Sequence, residues 1–537
     1  MKRFLMFMAV VMLCSCSQNL EIQKPRVASV GSLFVHKIEL TDSATIVHAA
    51  VVGSGGWFQL NGDEAGEYYL QSADGGRKFM YQGSADFEMG ERYTLDNSGV
   101  VLMTLHFEPV RGERVVDMVV DKDESLNVRG IELKKIKLKP HTCHVRAKIE
   151  GDAKAVMITR YEDFITDTRG SLSKSWFVPV VDGGFEVDLP TSGDDFYSMV
   201  AIEQYVQSAM IVCKFFAPKG DLDIVYSFDR RNNKREISGS DNSLMLSIPK
   251  RVQEVAIKYN DELSRLRKEG LYESDYAKEL RSRADVEKDR EKQMALFHEL
   301  NYLPDSVRYC PEYWAVYSQL EEENKRLAHQ ILDEAESQPA IGYLDFVSDC
   351  YSSLEYGDYY DAREKIERVA EFYAEKFAHN YLAQLLAENI EAAKVKVGGD
   401  YIDFEAPDMN GKMFRFSEMI KGSRIVVLDL WASWCGPCRR AAKNNIPIYE
   451  KYKDKGMCVV SVARERNNLD DLKTAVEKDG YTWSVLVELN DRIKLWRQYG
   501  AGDSGGLIFV IDPATKKILA VAPDVEQIEA LVKQYCE

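Results

Sequence analysis

Residues 425–438 read IVVLDLWASWCGPC, and they indicate the fold of the C-terminal part of the chain. Its first half is a nearly continuous apolar run, which is typical of a strand buried on both faces of a sheet. Its second half, from Trp434 to Cys438, comes where a helix should begin. Further apolar runs at 457–463 and 507–511 alternate with helical segments. The pattern predicts an α/β domain over residues 398–537.

The two cysteines of this stretch are placed for redox chemistry. A thiol at a helix N-terminus lies at the positive end of the helix dipole, so its pKa falls below the free value of about 8.5. Cys435 is therefore the predicted nucleophile, with Arg439 and Arg440 adding positive charge. Cys438, one turn on, is expected to be more buried and to resolve the mixed disulfide. Between them, Gly436 lets the backbone approach a partner. Pro437 fits the first helical turn, where its missing amide costs nothing.

Two other uses of paired cysteines are a structural disulfide and half of a zinc site. Zinc would need a second ligand pair of this spacing, and none follows downstream. Upstream, His141, Cys143 and His144 suggest a metal cluster, but strand alternation would place His144 on the opposite face. We therefore expect no metal, and no cofactor beyond the disulfide itself. The strand-to-helix context and the flanking Trp434 favour redox function over a non-redox remnant.

The C-terminal residues resemble the thioredoxin superfamily, specifically the TlpA/ResA-like periplasmic thiol-disulfide oxidoreductases. The resemblance rests on segments 403–412 and 421–422 and on the CGPC turn with the strand before it, and it covers about a quarter of the chain. It implies a thioredoxin fold in which Asp429, six residues before Cys435, is a buried acid. Such an acid could take the proton of Cys438. A structural aspartate at the end of the strand is the alternative.

Three positions depart from that family's pattern. A glutamate and a helix-kinking proline that often follow the second cysteine are replaced by Ala441 and Lys443. The cis-proline that faces the cysteine pair is replaced by Gly506, within the sequence 504–506. Glycine reaches unusual backbone angles but does not fix them, so the expected effects are on substrate alignment and on redox tuning.

The N-terminus indicates an exported protein. Lys2 and Arg3 precede an apolar run, 4–13, that has the length of a signal-peptide core. The run ends in a sequence that resembles the lipobox of bacterial lipoproteins. We therefore expect a signal peptide at 1–15 and acylation of Cys16, which would hold the protein by a lipid anchor in the cell envelope, on the periplasmic face of the outer membrane. An ordinary secretory signal is the alternative.

The remaining chain is predicted to be multidomain, with two N-terminal β-sandwich-like domains and an α-helical domain before the C-terminal α/β thioredoxin fold. Short alternating runs predict the strands, and apolar residues at three-to-four-residue spacing predict the helices. The second β-domain resembles, through 183–185 and 237–240, a β-domain that often precedes such thioredoxin-like domains in Gram-negative lipoproteins, and the first resembles the N-terminal region of the same proteins on pattern alone. Neither resemblance implies an activity. The predicted limits are a tether at 16–26, β-domains at 27–140 and 141–243, and a helical domain at 244–397.

Charge and the other cysteines give weaker expectations. The formal net charge is −17, from 86 acidic and 69 basic residues, which makes nucleic acid an unfavourable partner. Among the six cysteines outside the CGPC turn and the signal region, Cys310 and Cys350 are the first candidates for a further disulfide, and buried free thiols are the alternative.

The sequence predicts an enzyme that reduces protein disulfides of the envelope through Cys435 and Cys438. The family resemblance implies a membrane-embedded thiol donor as its reductant. A peroxide-reducing activity is not favoured, because nothing around Cys435 matches the threonine and arginine on which such sites rely. The alternative is a lipid-anchored binding or scaffold protein with a redox-inactive thioredoxin-like domain. It is motivated by the lost cis-proline and by the size of the N-terminal region.

Overall fold

The structure, a computed structural model, describes the greater part of the chain. The described residues are 20–23, 28–29, 33–52, 56–58, 68–72, 76–84, 87–88, 91–95, 100–119, 128–133, 141–151, 153–161, 175–202, 211–229, 234–355, 357–465, 469–489, 493–502 and 505–537. Cys16 and the predicted signal peptide lie outside them. The chain divides into two compact units, 1–235 and 236–537. The individual domain limits remain predictions.

Strands make up the described secondary structure that precedes the first described helix. They are β1 Leu20–Gln23, β2 Ala28–Ser29, β3 Leu33–Leu40, β4 Thr45–Val52, β5 Gly56–Phe58, β6 Tyr69–Ser72, β7 Lys78–Ser84, β8 Tyr93–Leu95, β9 Val100–Phe107, β10 Val115–Val119, β11 Val128–Glu132, β12 His141–Glu150, β13 Ala155–Arg160, β14 Ser175–Pro179, β15 Gly184–Thr191, β16 Asp195–Ala201, β17 Val212–Ala217, β18 Gly220–Ser227 and β19 Arg235–Ile237.

The first eleven strands form a nine-stranded sheet in the order β1-β3-β4-β9-β7-β6-β10-β11-β2, with β5 and β8 pairing separately. Strands from distant parts of this sheet contribute to one apolar core, which includes Leu33, Leu70 and Ile131. The later strands form two four-stranded sheets, β15-β12-β18-β19 and β14-β13-β16-β17. The ring of Phe34 stacks on Phe177 at 5.4 Å, so β3 packs against β14. Both predicted β-regions are thus built of strands.

Helices follow, as the apolar spacing predicts. They are α1 Ser240–Lys268, α2 Asp275–Val286, α3 Arg290–Asn301, α4 Asp305–Arg308, α5 Pro311–Ser337, α6 Leu344–Ser353, α7 Arg363–Lys376 and α8 Tyr381–Ala392, with a 3₁₀ turn at Ile341–Tyr343. Cys310 and Cys350 are both buried free thiols, so the disulfide suggested for them is not formed. The thiol of Cys310 instead donates to the carbonyl of Leu271 at 2.9 Å.

The C-terminal part returns to alternating strands and helices. Its elements are β20 Glu405–Pro407, β21 Met413–Arg415, α9 Phe416–Met419, β22 Ile425–Trp431, α10 Gly436–Tyr452, a 3₁₀ turn Lys453–Lys455, β23 Met457–Glu465, α11 Asp470–Asp479, β24 Ser484–Leu489, α12 Leu495–Gln498, β25 Leu507–Asp512, β26 Lys517–Val521 and α13 Val525–Cys536.

These strands form a five-stranded mixed sheet in the order β24-β23-β22-β25-β26. The central strand β22 runs parallel to β23 and antiparallel to β25. Every residue of β22 is buried, because helices cover both faces of the sheet. Ile425 and Val427 pack with residues of α10 and α13, while Val426 and Leu428 pack on the opposite face. This burial explains the continuous apolar run in the sequence, and it delivers the chain to the start of α10.

No helix among the described residues combines the length and the apolar character needed to cross a membrane.

Candidate active site

Cys435 and Cys438 form a disulfide at the start of α10, with their Cα atoms 5.4 Å apart. Cys435 is the N-cap residue of the helix, and its Sγ accepts a hydrogen bond from the backbone N–H of Cys438 at 3.3 Å. Gly436 and Pro437 occupy the first helical turn. The helix therefore directs a backbone N–H at the predicted nucleophile, as a stabilised thiolate requires.

The relative burial of the two cysteines was predicted wrongly. Cys435 is only 8% exposed in this disulfide form, whereas Cys438 is partly exposed. The cause is the backbone of Gly505, since a Cβ atom added there would lie 2.6 Å from the Sγ of Cys435. The preceding Trp434 remains 53% exposed. The backbone at Gly505 thus lies directly against Cys435 in the disulfide form.

Gly506 lies directly after that contact, at the position where the family resemblance implies a cis-proline. None of the peptide bonds among the described residues is cis. A Cβ atom added at Gly506 would overlap the carbonyl oxygen of Leu430, so only glycine fits this backbone. Two consecutive glycines therefore allow the segment to lie against both β22 and Cys435.

Asp429 is a buried acid on β22. Its exposed fraction is 3%, and burial raises the pKa of its carboxyl group to about 7. The hydroxyl of Ser461, its neighbour on β23, donates to Asp429 Oδ2 at 3.1 Å and partly opposes this rise. Ser461 Oγ in turn accepts from the indole N–H of Trp483 at 2.7 Å. A carboxyl group with a pKa near neutrality can both accept and release a proton.

The alternation of side chains along β22 puts Asp429 on the face that α10 covers. Ile425 and Val427, four and two residues earlier, pack with α10 residues, and residues two apart on a strand share a face. Cys438, in the first turn of that helix, packs against the apolar cluster that contains Trp431. The geometry therefore places the acid on the same side of the sheet as the resolving cysteine.

A second buried acid, Asp479, lies at the end of α11. It accepts from Arg439 Nε at 2.5 Å and from Arg439 Nη2 at 3.0 Å, and Lys443 Nζ lies 2.7 Å from its Oδ1. The hydrogen bonds from Arg439 are the main reason that its pKa falls to about 2. The charge of Arg439 is thus neutralised, contrary to the expectation that it would stabilise the thiolate. Arg440, which is exposed, is left as the positive charge near the cysteine pair: its Nη1 would lie 3.7 Å from a Cβ atom added at Gly436.

The segment before the cysteines is held by a third acid, Glu465, the last residue of β23. Its Oε1 accepts from the backbone N–H of Ser433 and its Oε2 from the Ser433 hydroxyl, each at 2.7 Å. Arg439 Nη1 donates to the carbonyl of Ser433 at 3.3 Å. All three polar groups of Ser433 are therefore paired.

Sequence reasoning missed Glu465, Asp479 and Ser461, whereas the family resemblance already implied that the loop at 504–506 faces the cysteine pair, as the contact of Gly505 with Cys435 confirms. The only signal for Glu465 was its position after a buried strand, which also describes many structural residues. Of the family departures, Ala441 is partly buried in α10, and Lys443 acquires the ion pair with Asp479. No cluster of ligands suited to a metal ion occurs in the described part of the chain. The site is a cysteine pair, closed as a disulfide, with acids around it, an arrangement suited to thiol-disulfide exchange.

The C-terminal region is similar to known proteins. Residues 397–519 match the AhpC/TSA family. The chain is 26% identical over 143 residues to a thiol-disulfide oxidoreductase ResA of Bacillus thuringiensis, an alignment that covers 26% of this chain and 79% of that protein. It is 29% identical over 107 residues to the ResA of Geobacillus kaustophilus, covering 19% and 58% of the two chains.

A solved structure, the thioredoxin domain of a thiol-disulfide oxidoreductase from Bacteroides vulgatus, matches with 23% identity and a TM-score of 0.24. The alignment covers 26% of this chain and 98% of that one. The matches to this structure and to the two ResA proteins each cover about a quarter of the chain or less.

Proposed function

We propose that this protein reduces protein disulfides in the cell envelope. The proposal starts from the match of residues 397–519 to the AhpC/TSA family, as a thioredoxin-like domain, and from their similarity to ResA-type oxidoreductases. The working pair is Cys435 and Cys438. The names of the relatives support oxidoreductase activity, and they do not favour a redox-inactive scaffold.

The observation that carries this proposal is the Cys435–Cys438 disulfide at the start of α10. A disulfide closed across one helical turn can open and close without rearranging the fold. The backbone N–H of Cys438 already points at Cys435 Sγ, and Asp429 lies on the same side of the sheet. Nucleophile, resolving thiol and proton acceptor thus belong to one strand–helix unit.

In the reduced enzyme, the thiolate of Cys435 attacks one sulfur of a substrate disulfide. An S–S bond forms between them, and the other substrate sulfur leaves as a thiolate that takes up a proton. Cys438 then gives its proton to Asp429 and attacks Cys435 Sγ. This closes the Cys435–Cys438 disulfide and releases the second substrate sulfur as a thiolate. Two electrons pass to the substrate, and the proton on Asp429 returns to solvent or to the leaving thiolate.

The oxidised pair must be reduced again before the next turnover. We assign this step to a membrane-embedded dithiol donor, which would return two electrons and two protons to Cys435 and Cys438. The N-terminal sequence supports the location, because acylation of Cys16 after removal of residues 1–15 would tether the protein to the outer membrane on its periplasmic side. Substrates are then envelope proteins with accessible disulfides.

The test is a trapping experiment with Cys438→Ser in the full chain. Without the resolving thiol, Cys435 should accumulate as mixed disulfides with envelope proteins, visible as adducts that dithiothreitol cleaves by reduction. The matched control is Cys435→Ser with Cys438 intact, which should give no adducts. Absence of reducible adducts from the Cys438→Ser protein would contradict disulfide exchange as the function.

A titration of the wild-type chain in glutathione redox buffers distinguishes disulfide exchange from the scaffold alternative. Thiol labelling should show two thiols appearing together as the buffer becomes more reducing. A pair that stays locked as a disulfide across the whole range would favour the binding or scaffold interpretation.

A further inference from the structure

Ser433, two residues before Cys435, anchors the active-site turn through a carboxylate. Both oxygens of the Glu465 carboxylate accept hydrogen bonds from it, each at 2.7 Å. Hydrogen bonds to an ionised carboxylate are about twice as strong as neutral ones. The backbone N–H of Cys435 then bonds to the carbonyl of Ala432 at 3.0 Å, which closes the turn. The position of Cys435 is thus tied to Glu465 through one residue.

Glu465 is also a buried acid, and no cation is paired with it in the described part of the chain. It is 4% exposed, and burial is the main reason that the pKa of its carboxyl group is raised. The two hydrogen bonds from Ser433 oppose this rise by favouring the ionised form, and the nearby acid Asp471, which is exposed, adds to it. Asp479, in contrast, is neutralised by Arg439 and Lys443. Ser433 and Cys435 lie at most about 7 Å apart along the chain, and the Glu465 carboxylate is hydrogen-bonded to Ser433. A buried carboxylate at that separation can still act electrostatically on Cys435.

We propose that Glu465 is a positioning residue of the redox site, which fixes the turn through Ser433 and makes the Cys435–Cys438 pair more reducing. This deepens the proposed function and rests on it. When Glu465 is ionised, as its two hydrogen bonds from Ser433 favour, its negative charge disfavours the Cys435 thiolate relative to the uncharged disulfide. The pair therefore gives up its electrons more readily than the start of α10 alone would allow, which suits an enzyme that reduces its substrates.

The experiment measures the equilibrium between the disulfide and dithiol forms of the full chain in glutathione buffers. In this reaction two glutathione thiols become one glutathione disulfide, and the Cys435–Cys438 bond takes up two electrons and two protons. Glu465→Gln removes the charge and nearly keeps the shape. It should raise the equilibrium constant for dithiol formation by on the order of tenfold, which corresponds to about 30 mV.

Two further variants separate charge from hydrogen bonding. Ser433→Ala removes one of the two bonds to Glu465 and keeps its charge, so the equilibrium should move by only about threefold. Asp471→Asn is the matched control, because it removes an acidic charge from the same neighbourhood without touching Ser433. It should change the equilibrium constant by less than about twofold. The pH midpoint for alkylation of Cys435 should fall in Glu465→Gln and stay unchanged in Asp471→Asn.

A wild-type equilibrium constant and alkylation midpoint in Glu465→Gln would overturn this proposal and leave the proposed function intact, provided that the wild-type pair cycles. A wild-type pair that never cycles would overturn both. If Glu465→Gln failed to fold, as judged by its circular dichroism, Ser433→Ala would decide: an equilibrium constant equal to that of the wild type overturns the positioning role, and a change of about threefold supports it.

Discussion

Asp429 and Asp479 are both buried beside α10, one on strand β22 and the other at the end of helix α11, and their carboxyl groups behave in opposite ways. Asp429 has one hydroxyl donor, and burial raises its pKa to about 7. Asp479 accepts from Arg439 and faces Lys443, and its pKa falls to about 2. Burial is common to both residues, so the partners decide the ionisation state.

This difference assigns different work to the two acids. Asp479 stays ionised at all ordinary pH values, and its ion pairs link α11 to α10. A negative charge at the C-terminus of a helix is unfavourable, and the pairing with Arg439 and Lys443 offsets this cost. Asp429 can change its protonation state near neutral pH, which a proton acceptor must do. The comparison predicts that replacing the two carboxyl groups by amides will have opposite consequences for stability.

The largest effect should be on the pH dependence of stability in Asp429→Asn. The folded chain keeps the Asp429 proton to a higher pH than the unfolded chain, so folded protein binds more protons between about pH 4 and pH 7. Stability conferred by this site is therefore lost as pH rises through that window, by on the order of 4 kcal/mol. The amide that replaces the carboxyl group cannot ionise, so the variant should lack this loss.

The measurement is denaturant unfolding of the oxidised full chain, followed by tryptophan fluorescence from pH 4 to pH 8. Wild type and Asp429→Asn should diverge as the pH rises, with the variant the more stable above pH 7. Parallel stability curves for the two proteins would show that Asp429 does not titrate in this window.

The next largest effect should be on the chemistry of Asp429→Asn. Without the carboxylate, Cys438 loses its proton acceptor, and release of the mixed disulfide should slow by about 100-fold at pH 7, or about 2.7 kcal/mol. Stopped-flow measurement of the two exchange steps provides an internal control, because the first attack by Cys435 should change by less than about threefold. Equal slowing of both steps would indicate a general distortion of the site and contradict the role as proton acceptor.

An acid could be predicted from the sequence when its partners lie close to it along the chain, and it could not when they lie far away. Asp429 is six residues from Cys435, within one strand and turn, so pattern and resemblance both pointed to it. Asp479 lies 40 residues from Arg439, and Glu465 lies 32 residues from Ser433. Such contacts depend on how β23 and α11 pack against β22 and α10. No local spacing encodes them.

The fold shows the same division. The apolar run of β22 and the spacing of the helical stripes predicted the C-terminal sheet and the helices, because one face or both faces of each element are buried. The strand order of the sheets in the first unit could not be predicted from the sequence, because strands that are far apart in the sequence pair there. The contact of Gly505 with Cys435 was implied by the family resemblance and not by the glycines themselves, because glycine shows only that a backbone can approach and not what it approaches.

A smaller effect is expected for Asp479→Asn. Its lowered pKa means that the ion pairs stabilise the folded chain fully above about pH 4, and that this contribution is lost as pH falls through about 2. Because Arg439 and Lys443 are partly exposed, the loss at pH 7 should be only about 1–2 kcal/mol. The exposed Asp471→Asn on the same helix is the control and should change stability by less than about 0.5 kcal/mol. A deficit of Asp479→Asn that persisted unchanged at pH 2 would contradict an electrostatic origin.

The smallest effect should come from Ser461→Ala, which alters the surroundings of Asp429 without changing the acid. The Ser461 hydroxyl stabilises the ionised carboxylate, so its removal should shift the pH midpoint of mixed-disulfide release upward by ~0.5 unit. The indole N–H of Trp483 would lose its acceptor, at a cost of about 1 kcal/mol in stability. Ser461→Thr keeps the hydroxyl and should keep the midpoint. A downward shift in Ser461→Ala would mean that the hydroxyl accepts from a protonated Asp429, and the hydrogen bond would then favour the neutral acid instead of opposing it.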